Sequence, residues 1–356
     1  MTLPAIFLQA QSCVCALGDT PAAIRAGLWA DAPSGVAPTD AHTPGRVLNL
    51  GCVTTPLPSL AGLPYVHRSR NNALLLAALA PLRERVQAAI DRFGPARVAV
   101  VLGVSTAGLD EGVAAIRQVH SGFGWPAHYD YALQEMGNAA QCVARELGVA
   151  GPAYVISTAC SSGAKALATG ARLLRSGQVD AVVAGGGDAL SGFTIAGFSA
   201  LDAVSAERCN PLSANRRGIN IGEGAALFLM GRDAGPVRLA GWGESADAHH
   251  MSAPEPSGRG AAEAMQRALA RAGVDVFDAY CPMIAAPPKA SYGKLMEPVQ
   301  PLFPGYVFVR ADCRVALGSW RVLRMGDGET PSTVPQDIVA ELRAREGRDG
   351  IIRPDP

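Results

Sequence analysis

Apolar residues follow two patterns along the chain. Short runs rich in β-branched residues predict strands, and apolar residues spaced three or four apart predict helices. The runs that predict strands cover residues 5–14, 97–104, 154–158, 179–184 and 225–230. The helical spacing covers residues 21–29, 69–90, 135–147, 164–174, 261–272 and 335–345. This succession of strands and helices predicts an α/β fold.

Two stretches between these elements have their own composition. Residues 31–64 are rich in Pro and Gly and predict an irregular excursion. Gly185, Gly186 and Gly187 follow a predicted strand, but no Lys-Ser/Thr pair comes after them, so the run does not match a phosphate-binding loop. Glycines there favour a close approach of two backbone segments.

Composition narrows the class of protein. The chain has 356 residues, a length that favours two domains. Of these residues 49% are hydrophobic and 17% charged, so we expect sheets that are covered on both faces. The net charge of +0 gives no support for a nucleic-acid or membrane partner. Eight cysteines without CxxC spacing indicate neither a zinc site nor a disulfide framework. We therefore expect neither a metal nor a cofactor. No basic leader or membrane-length apolar run is visible, so we expect a cytoplasmic protein.

The stretch AYVISTACSSGAKALATGARLLRSG is the strongest candidate for chemistry. It predicts a strand, a turn that carries Cys160, and a helix whose first turn contains Ser161 and Ser162. A helix start favours an anion and therefore the reactive thiolate form of cysteine. The alternative is a small cysteine buried among alanines.

Several long motifs occur in one order along the chain: STACSSGAKAL, VVAGGGDALSGF, GFSALDAVS, CNPLSANRRGINIGEGAALFLM and DAHHMSAPEPSGRGAAEAM. Together they strongly resemble the β-ketoacyl-acyl-carrier-protein synthases, the condensing enzymes of the thiolase fold. The resemblance covers about three quarters of the chain. It implies an acyltransferase of fatty acid or polyketide synthesis, with an acyl carrier protein as partner and a homodimeric assembly.

The resemblance also implies roles for individual residues. Cys160 would carry the acyl group, Thr106 would lie beside the acyl chain, and Phe198 would line the acyl tunnel. Thr106 could instead belong to an ordinary turn of small residues, and Phe198 could be a packed core aromatic. Glu223 is interpreted as structural or carrier-facing.

The catalytic partners of the family's cysteine are not found in this chain. Condensing enzymes use two histidines and a lysine from later motifs, and no histidine follows His250. His249 and His250 belong to an earlier motif, and Lys289 and Lys294 lie in a loop-like context that differs from the family's. We therefore expect a catalytically incomplete enzyme, which acylates but condenses weakly.

From about Val274 the sequence resembles a different family. EPVQPLFPGYVFVRAD and VPQDIVAELRAREGRDG are similar to part of the N-terminal domain of NusG-type transcription elongation and antitermination factors. The resemblance would place Phe303 and Tyr306 on a surface that binds RNA polymerase. Alternatively, both are strand residues that pack on the following helix. The tail's balanced charge gives no support for direct nucleic-acid binding.

These observations predict a two-part chain. Residues 1–273 would form a thiolase-like domain with a complete first half and a truncated second half, and residues 274–356 a partial NusG-like α+β segment. Besides the acyltransferase, two hypotheses remain open: a non-catalytic subunit that pairs with a complete ketosynthase, and a transcription factor carried by the tail. We also expect an exposed apolar face on the helix after Cys160.

Overall fold

A computed structural model gives the architecture of the chain. It describes residues 4–30, 35–210, 216–250 and 255–273; beyond these it describes residues 276–280, 283–285, 289–291, 294–296, 299–301, 308–311, 336–346 and 351–352. The chain divides into two compact units, one formed by residues 1–211 and 216–239, the other by residues 212–215 and 240–356.

The first unit is built on a six-stranded mixed sheet. Its strands are β1 (Phe7–Cys15), β4 (Val98–Gly103), β5 (Ala153–Ile156), β6 (Ala181–Asp188), β7 (Gly224–Gly231) and β8 (Val237–Arg238). Their order across the sheet is β5-β4-β6-β7-β1-β8. β5, β4 and β6 run parallel, whereas β7 pairs antiparallel with β6 and with β1. Two further strands, β2 (Val36–Thr39) and β3 (Leu48–Gly51), form a hairpin-like pair within the predicted irregular stretch.

Helices of the first unit alternate with these strands. They are α1 (Pro21–Leu28), α2 (Arg70–Leu79), α3 (Arg83–Phe93), α4 (Leu109–His120), α5 (Asn138–Leu147), α6 (Ser162–Arg175) and α7 (Gly192–Ala200). Their starts follow local chemistry: the Thr20 hydroxyl caps α1, with Pro21 at its first position, and the Ser69 hydroxyl caps α2. α5 ends at Gly148 in the left-handed conformation, with a φ of 67°.

The two faces of the sheet bury different side chains. Val98, Val100 and Leu102 of β4 join the core cluster that also contains residues of α2, α3 and α5. The intervening side chains point the other way, because successive residues of a strand alternate between faces. On that second face lies α6, whose Gly170 would bring an added Cβ to 3.2 Å from Val182. The sheet is therefore covered on both faces, as the composition predicts.

The helix after Cys160 differs from one expectation. We expected an exposed apolar face on α6, but its larger apolar residues are buried or half-buried, and Leu174 is 0% exposed. The expectation is wrong for this helix because it packs along β4 and β6.

The second unit contains α8 (Arg259–Ala272) and α9 (Gln336–Ala344). Its short strands are β9 (Val276–Tyr280), β10 (Met283–Ala285), β11 (Lys289–Ser291), β12 (Lys294–Met296), β13 (Val299–Pro301), β14 (Phe308–Ala311) and β15 (Ile351–Ile352). β9 pairs with β14, β11 with β12, and β10 with both β13 and β15. The helices predicted over 261–272 and 335–345 are confirmed.

Candidate active site

Cys160 lies in the turn that joins β5 to α6, as the sequence predicts. β5 ends at Ile156 and α6 begins at Ser162, and the side chain of Cys160 is exposed. Ala159, directly before it, has a φ of 51°, a left-handed conformation that costs energy for a residue with a Cβ. Backbone strain of this kind accompanies sharp strand-to-helix turns that present a nucleophile. The alternative of a buried core cysteine is excluded by the exposure of this thiol.

A set of short hydrogen bonds holds this turn in shape. The Ser162 hydroxyl accepts from the backbone N–H of Thr158 at 2.8 Å and donates to the carbonyl of Ala159 at 2.6 Å. The Ser161 hydroxyl donates to the Thr158 carbonyl at 2.9 Å. These bonds use the hydroxyls of the two serines to brace the backbone on both sides of Cys160. The backbone at Cys160 is thereby held two residues before the first residue of a 14-residue helix.

Thr106 occupies a buried polar cluster at the end of β4. Its hydroxyl donates to Asp188 Oδ1 at 2.9 Å, and the backbone N–H groups of Ser105 and Thr106 donate to the same oxygen at 2.7 Å each. The Thr106 residue is only 6% exposed. Asp188 therefore fixes the loop after β4, and it is a positioning group that the sequence analysis did not name. Its position at the end of β6, directly after the glycine run, is the feature of the sequence that could have identified it.

Phe198 lies on α7 and is half-buried. Within this helix only Ile195 is buried, whereas Phe193 is 69% exposed. The structure thus gives Phe198 neither a fully packed core position nor an open one. Its role as a wall of the acyl tunnel stays a prediction, as does the role of Thr106 beside the acyl chain.

Glu223 is a structural anchor near the start of β7. Its carboxylate accepts from Arg70 Nε at 2.8 Å and from the backbone N–H groups of Val53 at 3.0 Å and Leu190 at 3.2 Å. Burial acts to raise the pKa of Glu223, but the bonds from Arg70 and the two backbone groups outweigh it and hold that pKa below its usual range. The interpretation of Glu223 as structural is supported by these contacts.

The two histidines of the DAHHMSAPEPSGRGAAEAM motif belong to the second unit. His249 and His250 are both exposed, and the backbone N–H of His249 donates to Asp247 Oδ1 at 3.1 Å. Lys289 and Lys294 lie on the paired strands β11 and β12. Phe303 and Tyr306, the residues predicted to contact RNA polymerase, lie outside the described residues.

The described part of the chain holds neither a cluster of metal-ligand side chains nor a membrane-spanning helix. No group of three or more His, Cys, Asp or Glu side chains in it is arranged to hold a metal ion. None of its helices is long and apolar enough to cross a membrane.

Family models match most of the region that carries the motifs. The model described as beta-ketoacyl synthase, N-terminal domain, matches residues 69–234, and the model of the C-terminal domain matches residues 237–279. The second match ends six residues beyond Gly273. It therefore extends into the segment that begins at about Val274 and resembles the NusG-type family.

Among curated proteins, the chain is similar to the tetracenomycin polyketide synthase ketoacyl synthase alpha subunit of Streptomyces glaucescens, at 33% identity over 202 residues. That match covers 50% of this chain and 47% of the relative. The chain is also 33% identical over 150 residues to 3-oxoacyl-[acyl-carrier-protein] synthase 2 of Staphylococcus aureus. This match covers 38% of this chain and 37% of that protein. The matched region thus spans about half the length of the first relative and less than half the length of the second.

Solved structures extend the comparison. The ketosynthase ApeO, in complex with its chain length factor ApeC, from Xenorhabdus doucetiae matches with a TM-score of 0.72 and 42% identity, over 76% of this chain and 68% of that one. A β-ketoacyl synthase from Burkholderia phymatum, 23% identical with a TM-score of 0.64 over 76% of this chain and 71% of that one, shares the fold. The fold is therefore the thiolase-like α/β fold that the motifs predict, and the chain belongs to the β-ketoacyl synthase family.

Proposed function

We propose that this chain is an acyltransferase of the ketosynthase type, in which Cys160 accepts an acyl group from a carrier-protein thioester. The thiolate attacks the thioester carbonyl, the carbon–sulfur bond to the carrier breaks, and the departing carrier thiolate takes up a proton. The observation that carries the proposal is the exposed Cys160 at a strained turn before α6. Family membership supplies the acyl-carrier substrate class.

The experiment that tests this proposal is detection of the acyl adduct. The protein is incubated with an acyl carrier protein charged with a short saturated acyl chain, and its peptides are mapped by mass. We expect the acyl mass on the Cys160 peptide and no adduct in Cys160→Ala. Cys209→Ala is the matched control, because that thiol is half-exposed, donates to the Gly218 carbonyl at 3.0 Å and should leave acylation unchanged.

Condensation is proposed to be weak in this chain. In the family, two histidines from later motifs assist decarboxylation and stabilise the developing enolate, and no histidine follows His250 in this sequence. Removing one preorganised electrostatic partner costs on the order of a hundred- to a thousandfold in rate. We expect the acyl-enzyme to accumulate when a malonyl carrier thioester is added. Product formation at the rate of a complete ketosynthase would contradict this part of the proposal.

A second proposal is that the chain acts as a ketosynthase-like subunit paired with a copy of itself or with a complete ketosynthase. β5 lies at one end of the six-stranded sheet, and Tyr154 on it is 36% exposed. An open sheet edge is a template for pairing with another chain. The related ketosynthase ApeO, solved in complex with its chain length factor, supports this proposal. Light scattering of the purified chain, and co-purification with a complete ketosynthase, distinguish the two partners.

The tail hypothesis rests on its sequence motif alone. Residues 274–356 would form the NusG-like segment of a two-part chain, with 1–273 as the ketosynthase-like part. A pull-down of RNA polymerase that is lost on Phe303→Ala would support it. The proposed setting for either part is the cytoplasm.

A further inference from the structure

Gly103, the last residue of β4, lies directly beneath the start of α6. In the parallel ladders it pairs with Ile156 of β5 on one side and with Gly186 of β6 on the other. A Cβ added to Gly103 would lie 2.5 Å from the backbone nitrogen of Gly163 and 2.7 Å from the carbonyl oxygen of Ser162. Both atoms are backbone, so no side-chain rotation could relieve the contact.

Gly186, the partner of Gly103 on the neighbouring strand β6, also makes a close backbone contact. A Cβ added to Gly186 would lie against the carbonyl oxygen of Gly103 and 3.1 Å from its carbonyl carbon. Gly186 therefore lets Gly103 approach, and Gly103 lets the first turn of α6 approach. The glycines make close backbone contacts, as the sequence analysis expected for the run at 185–187, and the contacts converge under the turn that carries Cys160.

We propose that Gly103 and Gly186 form a glycine floor, whose function is to set the height and orientation of the Cys160 turn above the sheet. This proposal rests on the proposed acyl transfer for its chemical meaning. The glycine floor is a positioning element, since neither residue touches the thiol. A larger residue at position 103 would push the start of α6 outward by about 1 Å, because non-bonded carbon atoms need roughly 3.5 Å of separation.

The test compares Gly103→Ala with Gly163→Ala. A Cβ added to Gly163 would meet nothing within 4 Å, so this variant alters the same helical turn without touching the floor. Each protein is treated with iodoacetamide and each cysteine is quantified by peptide mapping. Acyl transfer from the charged carrier protein is measured in parallel.

We expect Gly103→Ala to slow acyl transfer about a hundredfold, because a 1 Å misplacement of a reacting group has effects of that size. Alkylation of Cys160 should fall about three- to fivefold, because the displaced turn presents the thiol in a different orientation. Gly163→Ala should match the parent in both assays. Gly186→Ala, on the neighbouring strand β6, should lower both rates by smaller factors.

Cys142 is the internal reporter that separates positioning from folding. It lies in α5 with 0% exposure, and burial raises the pKa of its thiol to about 12, so it should stay unlabelled in any folded variant. Labelling of Cys142 in Gly103→Ala would show that the glycine serves folding alone and would overturn the proposal. Unchanged rates at Cys160 would also overturn it. If the parent protein takes no acyl group while Gly103→Ala still lowers Cys160 alkylation selectively, the acyl-transfer proposal fails and the glycine floor stands.

Discussion

Two helices of identical length have similar sequence patterns and different surroundings. α6 and α8 each span fourteen residues, are rich in alanine and carry apolar residues at helical spacing. Seven residues of α6 are buried, whereas none of the fourteen residues of α8, all of them described, is buried. α6 packs on a six-stranded sheet. The spacing of apolar residues therefore encodes the helix, and the surface that receives it decides how much of it is buried.

Two contacts of α8 are made by arginine side chains. Arg267 donates to the Glu244 carbonyl at 2.5 Å, and Arg271 lies over the Trp242 ring at 5.4 Å. Such exposed contacts contribute little to stability, because water competes for the same groups. The first unit holds an ion pair, Arg70–Glu223, in which only the carboxylate is buried. In the second unit both side chains of the pair Arg267–Glu263 are exposed. The following substitutions test this contrast.

The largest effect is expected from the ion pairs. Glu223→Ala should lower the free energy of unfolding by about 4 kcal/mol, because it leaves the backbone N–H groups of Val53 and Leu190 without their acceptor, at about 1 to 3 kcal/mol each. Glu263→Ala should change it by about 0.5 kcal/mol or less. Urea unfolding of both variants measures the difference. Equal losses would remove the distinction between the two regions.

Truncation of a core leucine should have the next largest effect. Leu174→Ala in α6 should cost about 3 kcal/mol, because the side chain is 0% exposed and its removal leaves a cavity. Met265→Ala in α8 should stay within about 0.5 kcal/mol, since Met265 is 43% exposed. A loss of 2 kcal/mol or more for Met265→Ala, on the scale of core truncations, would show that α8 is packed as tightly as α6.

The pH dependence of unfolding isolates the Glu223 charge. The folded pKa of Glu223 lies below its usual value of about 4.3. Its stabilising effect is therefore complete above about pH 4.3 and is lost as the pH falls through the lower folded-state pKa. Glu223→Gln should flatten this acid limb by at most about 1.4 kcal/mol per pH unit, the limit for one proton. An acid limb of the same slope in Glu223→Gln as in the parent protein would contradict this assignment.

The smallest effect is expected at the two helix starts. Ser162→Ala should cost about 1 kcal/mol, because its buried hydroxyl bonds Thr158 and Ala159 across the Cys160 turn. Ser257, before α8, is exposed and bonds the Arg259 N–H at 3.3 Å, so Ser257→Ala should cost less. The two unfolding midpoints give the comparison, and it would be wrong if Ser257→Ala proved the more damaging.

Local patterns predicted much of the first unit. The strand, turn and helix around Cys160 were predictable because β-branched residues, serines and apolar spacing all occur within twenty-five consecutive residues. The close approach at Gly186 was predictable because glycine has no Cβ. Residues 31–64, expected to be irregular, hold the short strands β2 and β3, which the many Pro and Gly residues obscured.

Contacts between distant residues were not predictable in the same way. Thr106 and Asp188 are 82 positions apart, and only the parallel pairing of β4 with β6 brings them together. The left-handed Ala159 is likewise invisible to propensity, because alanine favours a right-handed helix. The burial of α6 depended on the order of strands beneath it, which hydrophobic spacing does not specify.

We propose that Cys160 is the thiol that receives the acyl group, and a protection experiment distinguishes it from the other cysteines. The protein is incubated with charged or uncharged acyl carrier protein, then treated with iodoacetamide, and the cysteines are mapped by mass. We predict that the charged carrier protects Cys160 and leaves the labelling of Cys209 unchanged. Equal labelling of Cys160 with charged and uncharged carrier would contradict the claim.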